Sequence, residues 1–129
     1  MTDEQAVAAA AAELIAAFAA SDRPRYFACF APHATFIFPN EKHVLKSRGD
    51  YEAAWENWIR DFGFAVVECA SSNQQVAIYG DAGVFTHQTR TLLVTTDGEQ
   101  TLHERETIVF HRTGHKWLAV HEHLSPLPG

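Results

Sequence analysis

The sequence predicts an α+β fold, three helices in the first half packed on a long antiparallel sheet made by the second half. Two observations carry this. Before Gly63, three segments place apolar residues at helical spacing behind capping residues; from Phe64 onward apolar and polar residues alternate along extended runs. The runs are parted by turn signals at Gly80-Asp81, Asp97-Gly98 and Thr113-Gly114-His115, of which Asp-Gly is the strongest hairpin marker. The 129 residues fit one domain, 1–129, with enough chain for a core. Strands this long must twist, and a curved sheet closed by helices encloses a hollow.

Taken in order, Thr2 to Ala20 reads as a helix. Thr2 and Gln5 make a capping-box pattern, and Asp3 and Glu4 suit its N-terminus. Val7, Leu14, Ile15 and Phe18 form a narrow apolar stripe padded by alanines, which lets a helix approach a sheet closely. Ser21-Asp22 caps a second short helix near Pro24, with Tyr26, Phe27 and Phe30 as buried candidates. Pro32 breaks it. Ala34 to Phe38 is the first strand, ended by Pro39-Asn40, and His43 to Lys46 is a short second strand or loop. Ser47 to Asp50 resembles a cap, and a third helix runs to about Asp61 with Tyr51, Trp55, Trp58 and Ile59 on one face; Gly63 ends it. Phe64 to Ala70 and Gln75 to Tyr79 are extended around a break or bulge at Ser71-Ser72-Asn73. Val84 to Thr96, Glu99 to Arg112 and Lys116 to Leu124 complete the sheet, and 125–129 is a tail.

Bulk composition narrows the function classes. An apolar fraction of 47% and a charged fraction of 20% are those of an ordinary globular protein. The net charge of −6, with no Lys/Arg cluster, argues against nucleic acid, and no run is long enough to span a bilayer. The Ala-rich start is no signal peptide, because Asp3 and Glu4 sit where positive charge is needed and Glu13 interrupts the apolar run; the expected location is cytoplasmic. Cys29 and Cys69 read as free thiols.

The last hairpin holds the chemistry. One face carries Glu106, Ile108, Phe110, Leu118, Val120, Glu122 and Leu124; it is mostly aliphatic and is assigned inward. Pairing Arg112 with Lys116 sets Phe110 against Leu118, Ile108 against Val120 and Glu106 against Glu122, and a one-residue slip would mix the faces. Across the turn at 97–98, Thr89 then faces Glu106, His87 faces Ile108, and Arg90 faces Arg105. The core is thus expected to hold two opposed carboxylates.

At this point the chain resembles a known group. Gly80-Asp81-Ala82, then Arg105-x-Thr107-x-Val109, then Gly114-x-x-Trp117-x-x-Val120-His121-x-His123-x-Ser125 is similar to the SnoaL-like domains of the nuclear transport factor 2-like superfamily. The closing stretch also resembles the association (hub) domain of calcium/calmodulin-dependent protein kinase. The resemblance implies a cone of curved sheet and three helices (a cystatin-like, ketosteroid isomerase-like fold), a pocket inside it, and often a dimer. It does not imply one activity. Ketosteroid isomerases place a general-base aspartate on the early strand region and a tyrosine in the oxyanion hole; here Ala34–Phe38 offers no carboxylate and the first helix offers Phe18 but no tyrosine. The arginines of the kinase hub pocket fall near Thr89, Ile108 and Leu124, none of them basic.

Glu106, Glu122 and His87 are accordingly the candidate proton-transfer residues. Two carboxylates in a partly dry cavity repel and are desolvated, so at least one is expected to titrate near neutrality, as a general base requires. The plainer reading pairs a glutamate with Arg48 or Arg60. Tyr51, Trp55, Trp58, Phe85, Thr89, Ile108 and Phe110, with Phe36, are expected to line the pocket; for any one aromatic the plainer role is core. His111, His121 and His123 share the other face and could ligate zinc, as could His87 with both glutamates, but no metal is assigned and no cofactor is expected. Val109, His111, Trp117, Ala119 and His121 are taken as an outward face that pairs two subunits. The functional expectation is a protein binding a small, largely apolar organic molecule, acting as a cofactor-independent isomerase, dehydratase or hydrolase. The alternative is a non-catalytic oligomerisation or ligand-sensing module.

Overall fold

The computed structural model describes residues 1–129. Its elements are α1 Asp3–Ala19, α2 Arg23–Phe27, β1 Phe30–Ile37, α3 Arg48–Phe62, β2 Ala65–Tyr79, β3 Ala82–Thr95, β4 Gly98–Thr113 and β5 Lys116–Pro126. The strands form one sheet in the order β1-β5-β4-β3-β2. Strands β2 to β5 are antiparallel, as expected, but β1 runs parallel to β5 at one edge. A parallel neighbour needs a long connection, and α3 with three strands supplies it. No helix is long and apolar enough to cross a membrane.

The helices start and stop on the residues that the sequence marks. The Thr2 hydroxyl accepts the Gln5 N–H at 3.1 Å while the Gln5 side chain accepts the Thr2 N–H at 2.9 Å. Asp22 caps α2, Ser47 accepts the Asp50 N–H at 3.0 Å, and Gly63 closes α3 in the left-handed region at φ 61°. Helix α1 meets the sheet closely at Gly83, where a Cβ would lie 2.7 Å from Val7 Cγ2. The hydrophobic core sits between helices and sheet, with Phe30, Phe36, Phe85, Ile108 and Phe110 almost fully buried.

Several expectations need correction. Strand β1 begins at Phe30 rather than Ala34, so Pro32 lies inside it, at an irregularity between Phe30 and Thr35; an edge strand tolerates the missing N–H. The short strand at 43–46 reduces to one bridge, Phe36 with Leu45. The break at 71–73 is a bulge within one continuous strand, with Asn73 at φ 52°.

Both hairpin registers also differ. The β3–β4 loop is Thr96-Asp97, with Thr95 paired to Gly98, whose φ of 109° places the glycine at the strand start. Partners move by two, so faces are kept: His87 opposes Glu106, and Thr89 opposes Glu104. Arg90 opposes His103 and pairs with Glu68 at 3.1 Å, which removes the expected clash with Arg105. In the last hairpin Thr113 pairs with Lys116, and a bulge at Val120 separates Phe110↔Ala119 from Val109↔His121. The bulge reverses the faces on its two sides. Ala119 is therefore fully buried in the core and Trp117 packs against it, under the Arg112 guanidinium at 5.4 Å. Neither belongs to the outward face to which it was assigned; Leu118, opposite His111, does. Beyond the bulge Glu122 opposes Ile108 and Glu106 opposes Leu124, so the two carboxyls are diagonal neighbours instead of direct partners.

Candidate functional site

Between the helices and the concave sheet face lies a cavity of about 570 Å³, in the range of small-molecule sites. Leu14, Ile15 and Phe18 of α1, Tyr26 of α2, and Tyr51 and Trp58 of α3 form one wall; His87, Thr89, Thr91, Glu104, Glu106 and Glu122 form the sheet wall. Phe62, 55% exposed, also lines it and marks its opening. Of the residues expected from the sequence, Glu106, Glu122, His87, Thr89, Tyr51 and Trp58 reach the cavity. Trp55, Phe85, Ile108 and Phe110, like Phe36, do not; they are buried in the core behind it. Phe85 still bears on the site, because its ring packs on that of His87 at 4.8 Å.

Sequence reasoning missed Tyr26, Glu104 and Thr91. Extending the alternation of β4 by one step past Glu106 would have found Glu104, and the same step from Thr89 finds Thr91. Tyr26 had a weaker signal, since its five-residue helix shows only that Tyr26 and Phe27 are buried.

The sheet wall carries a connected polar chain. Gln74 Nε2 donates to Ser71 Oγ at 2.9 Å, Ser71 Oγ meets His87 Nδ1 at 2.6 Å, and His87 Nε2 meets Glu106 Oε1 at 2.6 Å. On the other side the Tyr26 hydroxyl lies 2.9 Å from that of Tyr51 and donates to Glu122 Oε1 at 3.4 Å. No arginine joins. Arg48 donates to the Phe30 carbonyl and Arg60 pairs with Asp61, so the structural ion pair considered for the glutamates does not form. Two buried oxygens, Glu122 Oε2 and Thr89 Oγ1, have no partner.

Burial sets the protonation states. Glu106 is pushed up to about 8 by burial; a hydrogen bond from Glu122 lowers it and the Glu104 charge raises it. Glu122 is held well above the usual carboxylate range by burial, then by the charge of Glu106 and a hydrogen bond to it. The two carboxyls therefore titrate as a pair, both held above the ordinary carboxylate range by burial. Burial also raises Glu104 and drives His87 down to about 4. Near neutrality the His87 ring is therefore uncharged. With Glu106 protonated, the acid O–H donates to Nε2 and Nδ1–H donates to Ser71. Tyr26 and Tyr51 are raised well above their ordinary range, by burial and then by Glu122, and stay neutral donors. Two adjacent carboxyls, with phenols beside one and an imidazole behind the other, can act as base and acid on one bound molecule.

The histidines of the opposite face do not assemble. No three His, Cys, Asp or Glu side chains come together as a metal site, and His121 Nδ1 instead meets Thr35 Oγ1 at 2.8 Å. Both cysteines are free thiols; Cys69 lines the cavity.

Comparisons with known proteins agree with this architecture. The hub of calcium/calmodulin-dependent protein kinase II from S. rosetta is 22% identical, with a TM-score of 0.79 over 98% of each chain. An NTF2-like protein of unknown function from Pseudomonas putida is 22% identical, with a TM-score of 0.76 over 95% of this chain and 84% of the other. A candidate dehydratase of the NTF2-like family from Streptomyces avermitilis is 18% identical, with a TM-score of 0.76 over 98% and 97%. At these identities the likeness establishes the fold alone. No curated protein matches the sequence. The family model that does match is the SnoaL-like domain, over residues 7–128. Spanning nearly the whole chain, that match together with the sheet-and-helix cone places this protein in the SnoaL-like domain family, with the nuclear transport factor 2-like fold.

Proposed function

We propose that this protein binds a small, largely apolar organic molecule in the cavity and moves a proton on it without a cofactor. The observation that carries the reading is the Glu106–Glu122 pair, two buried carboxyls facing a cavity with no arginine or lysine to hold either one. A pair of that kind is costly to fold around and is the usual signature of acid–base work. Glu106, backed by the His87 ring, is the general base. The Tyr26 hydroxyl and protonated Glu122 are the donors for the oxygen on which charge develops. Glu106 then holds the abstracted proton, hydrogen-bonded to His87, and returns it to the substrate at its new position or to the departing hydroxide. The reaction class is proton abstraction beside a carbonyl, leading to isomerisation or loss of water. The Streptomyces candidate dehydratase is a structural neighbour in keeping with this class.

The direct test is deuterium exchange. Native protein is incubated in D2O with a panel of cyclic ketones and enones, and loss of the proton signal next to the carbonyl is followed by NMR. Saturable exchange above the buffer rate supports the reading. A panel that shows neither exchange nor any ligand-induced rise in melting temperature would sink it.

A second reading concerns assembly, for which the kinase hub is a structural neighbour. We infer that the convex sheet face pairs two copies of this chain. The helices and core occupy the concave side, which leaves half-buried Val84, Val109 and Leu118 without a covering layer, beside His111 and His121. Half-buried aliphatics on an uncovered sheet face are usually covered by a partner. Sedimentation should show a native dimer and a Val109→Arg monomer of unchanged circular dichroism. A monomeric native protein refutes the pairing.

A further inference from the structure

We propose that the cavity selects a protonated amine on a hydrophobic body, with the ammonium seated between Glu104 and Thr89. The inference rests on the cavity being a ligand site and specifies which ligands it takes. Thr89 and Glu104 oppose each other on β3 and β4, and both line the cavity. Thr89 is 7% exposed and its Oγ1 has no partner. Glu104, 9% exposed, takes part in none of the chain's ion pairs, and six of the arginines are held by other carboxylates: Arg23 by Glu56, Arg25 by Glu13, Arg48 by Glu52, Arg60 by Asp61, Arg90 by Glu68 and Arg112 by Asp3 and Asp81. The Thr89–Glu104 pair therefore offers a carboxylate and an unpartnered hydroxyl oxygen to an incoming donor.

An ammonium is the complementary group, with three donors, no acceptor and one positive charge. A carboxylate ligand would instead add a negative charge beside Glu104, Glu106 and Glu122. The facing wall suits the remainder of such a ligand. Phe18, Phe38, Trp58 and Phe64 line the cavity, and aromatic faces attract both apolar bodies and cations. The arrangement also links binding to the proposed chemistry. A cation beside Glu104 lowers the proton affinity of nearby carboxyls, so the arriving ligand helps to place Glu106 in its basic form.

The groups that sense Glu104 are Cys69 of β2, Glu106 of β4, Glu122 of β5 and Tyr51 of α3. Burial raises Glu104 above the ordinary carboxylate range. Seating a cation there reverses that shift, so amine binding should release protons in the pH range where the empty site still holds them.

The test is calorimetric titration of the native protein with three ligands of one shape: naphthylethylamine, naphthylethanol and naphthylacetate. A charge-assisted hydrogen bond corresponds to about ten-fold or more in affinity. The amine is expected to bind at least about ten-fold tighter than the alcohol, with proton uptake by the buffer, and the acetate not to bind. Glu104→Gln should bring the amine to the level of the alcohol while leaving the alcohol unchanged. Thr89→Val should weaken the amine alone, and serves if the first variant does not fold. An alcohol that binds as tightly as the amine overturns the amine inference and leaves the apolar-ligand reading standing. A Glu104→Gln protein that still prefers the amine also overturns it. Failure of all three ligands counts against both readings.

Discussion

Replacing Glu106 by glutamine will raise the melting temperature of this protein, and the gain will grow from about pH 5 to about pH 8. Burial lifts the carboxyl from an ordinary 4.5 to about 8 in the folded state. The folded protein therefore holds a proton that the unfolded chain has already lost. The stability contributed by that proton is fully present below the unfolded value and is lost as the pH climbs to the folded one, at about 1.4 kcal/mol per pH unit. His87 works in the opposite sense. Its folded value is depressed from 6.5 to about 4, so its contribution grows as the pH rises between those two values. The two slopes oppose each other below about pH 6.5, and the native protein declines most steeply between there and about pH 8. Glu104 and Glu122 are raised in the same direction as Glu106 and add to that decline. Glutamine removes the Glu106 slope, and several kcal/mol of accumulated cost with it, or about 10 °C near pH 8. Melting curves of both proteins across this range decide the matter. Parallel curves, or a variant that is less stable at pH 8, would mean that Glu106 is held as a charged partner of His87, and the base assigned to the cavity would be lost.

Much of the fold was legible because each element was marked at its ends. Thr2, Asp22, Ser47 and Gly63 mark helix boundaries by local chemistry, which acts over a turn of chain and needs no tertiary knowledge. Register is different. Asp97-Gly98 announces a hairpin, but whether the loop is Thr96-Asp97 or Asp97-Gly98 depends on which residue takes the positive φ. The two-residue error kept every side chain on its face, which is why Glu106, His87 and Thr89 were still placed in one hollow. The bulge at Val120 did greater harm, because a one-residue insertion exchanges the faces. Nothing in Trp117-Leu118-Ala119-Val120 distinguishes a regular strand from a bulged one, and so Trp117 and Ala119 were turned outward. The pocket was legible on the sheet side, where alternation assigns a face, and less so on the helix side. Tyr51, Trp55 and Trp58 all share one face of α3, yet the cavity takes Tyr51 and Trp58 while Trp55 fills the core. That choice is made by packing between helices, which no pattern within one helix records.

The exchange reaction separates the groups assigned to the chemistry by how far each stands from the moving proton. Glu106→Gln removes the base and is expected to lower kcat by about 100- to 10,000-fold. Tyr26→Phe removes a donor to the developing charge and should lower kcat by about 100- to 1,000-fold with KM little changed, since the interaction matters most in the transition state. Tyr51 also lines the cavity, but its hydroxyl bonds to that of Tyr26, at 2.9 Å, and not to either carboxyl. Its replacement by phenylalanine removes a hydrogen bond worth about 1 kcal/mol and should slow the reaction by about ten-fold or less. The order Glu106, Tyr26, Tyr51 is the discriminating result, because burial alone cannot produce it. Tyr26 and Tyr51 are both almost wholly buried, at 2% and 3% exposure, and sit in one aromatic cluster. A purely structural role would make their phenylalanine variants alike in stability and in rate. Steady-state kinetics with melting temperatures on the same samples therefore measures position along the network. Equal kcat losses for the two tyrosines would assign the phenols to packing and leave the Glu106–Glu122 pair without the donor that its proposed chemistry requires.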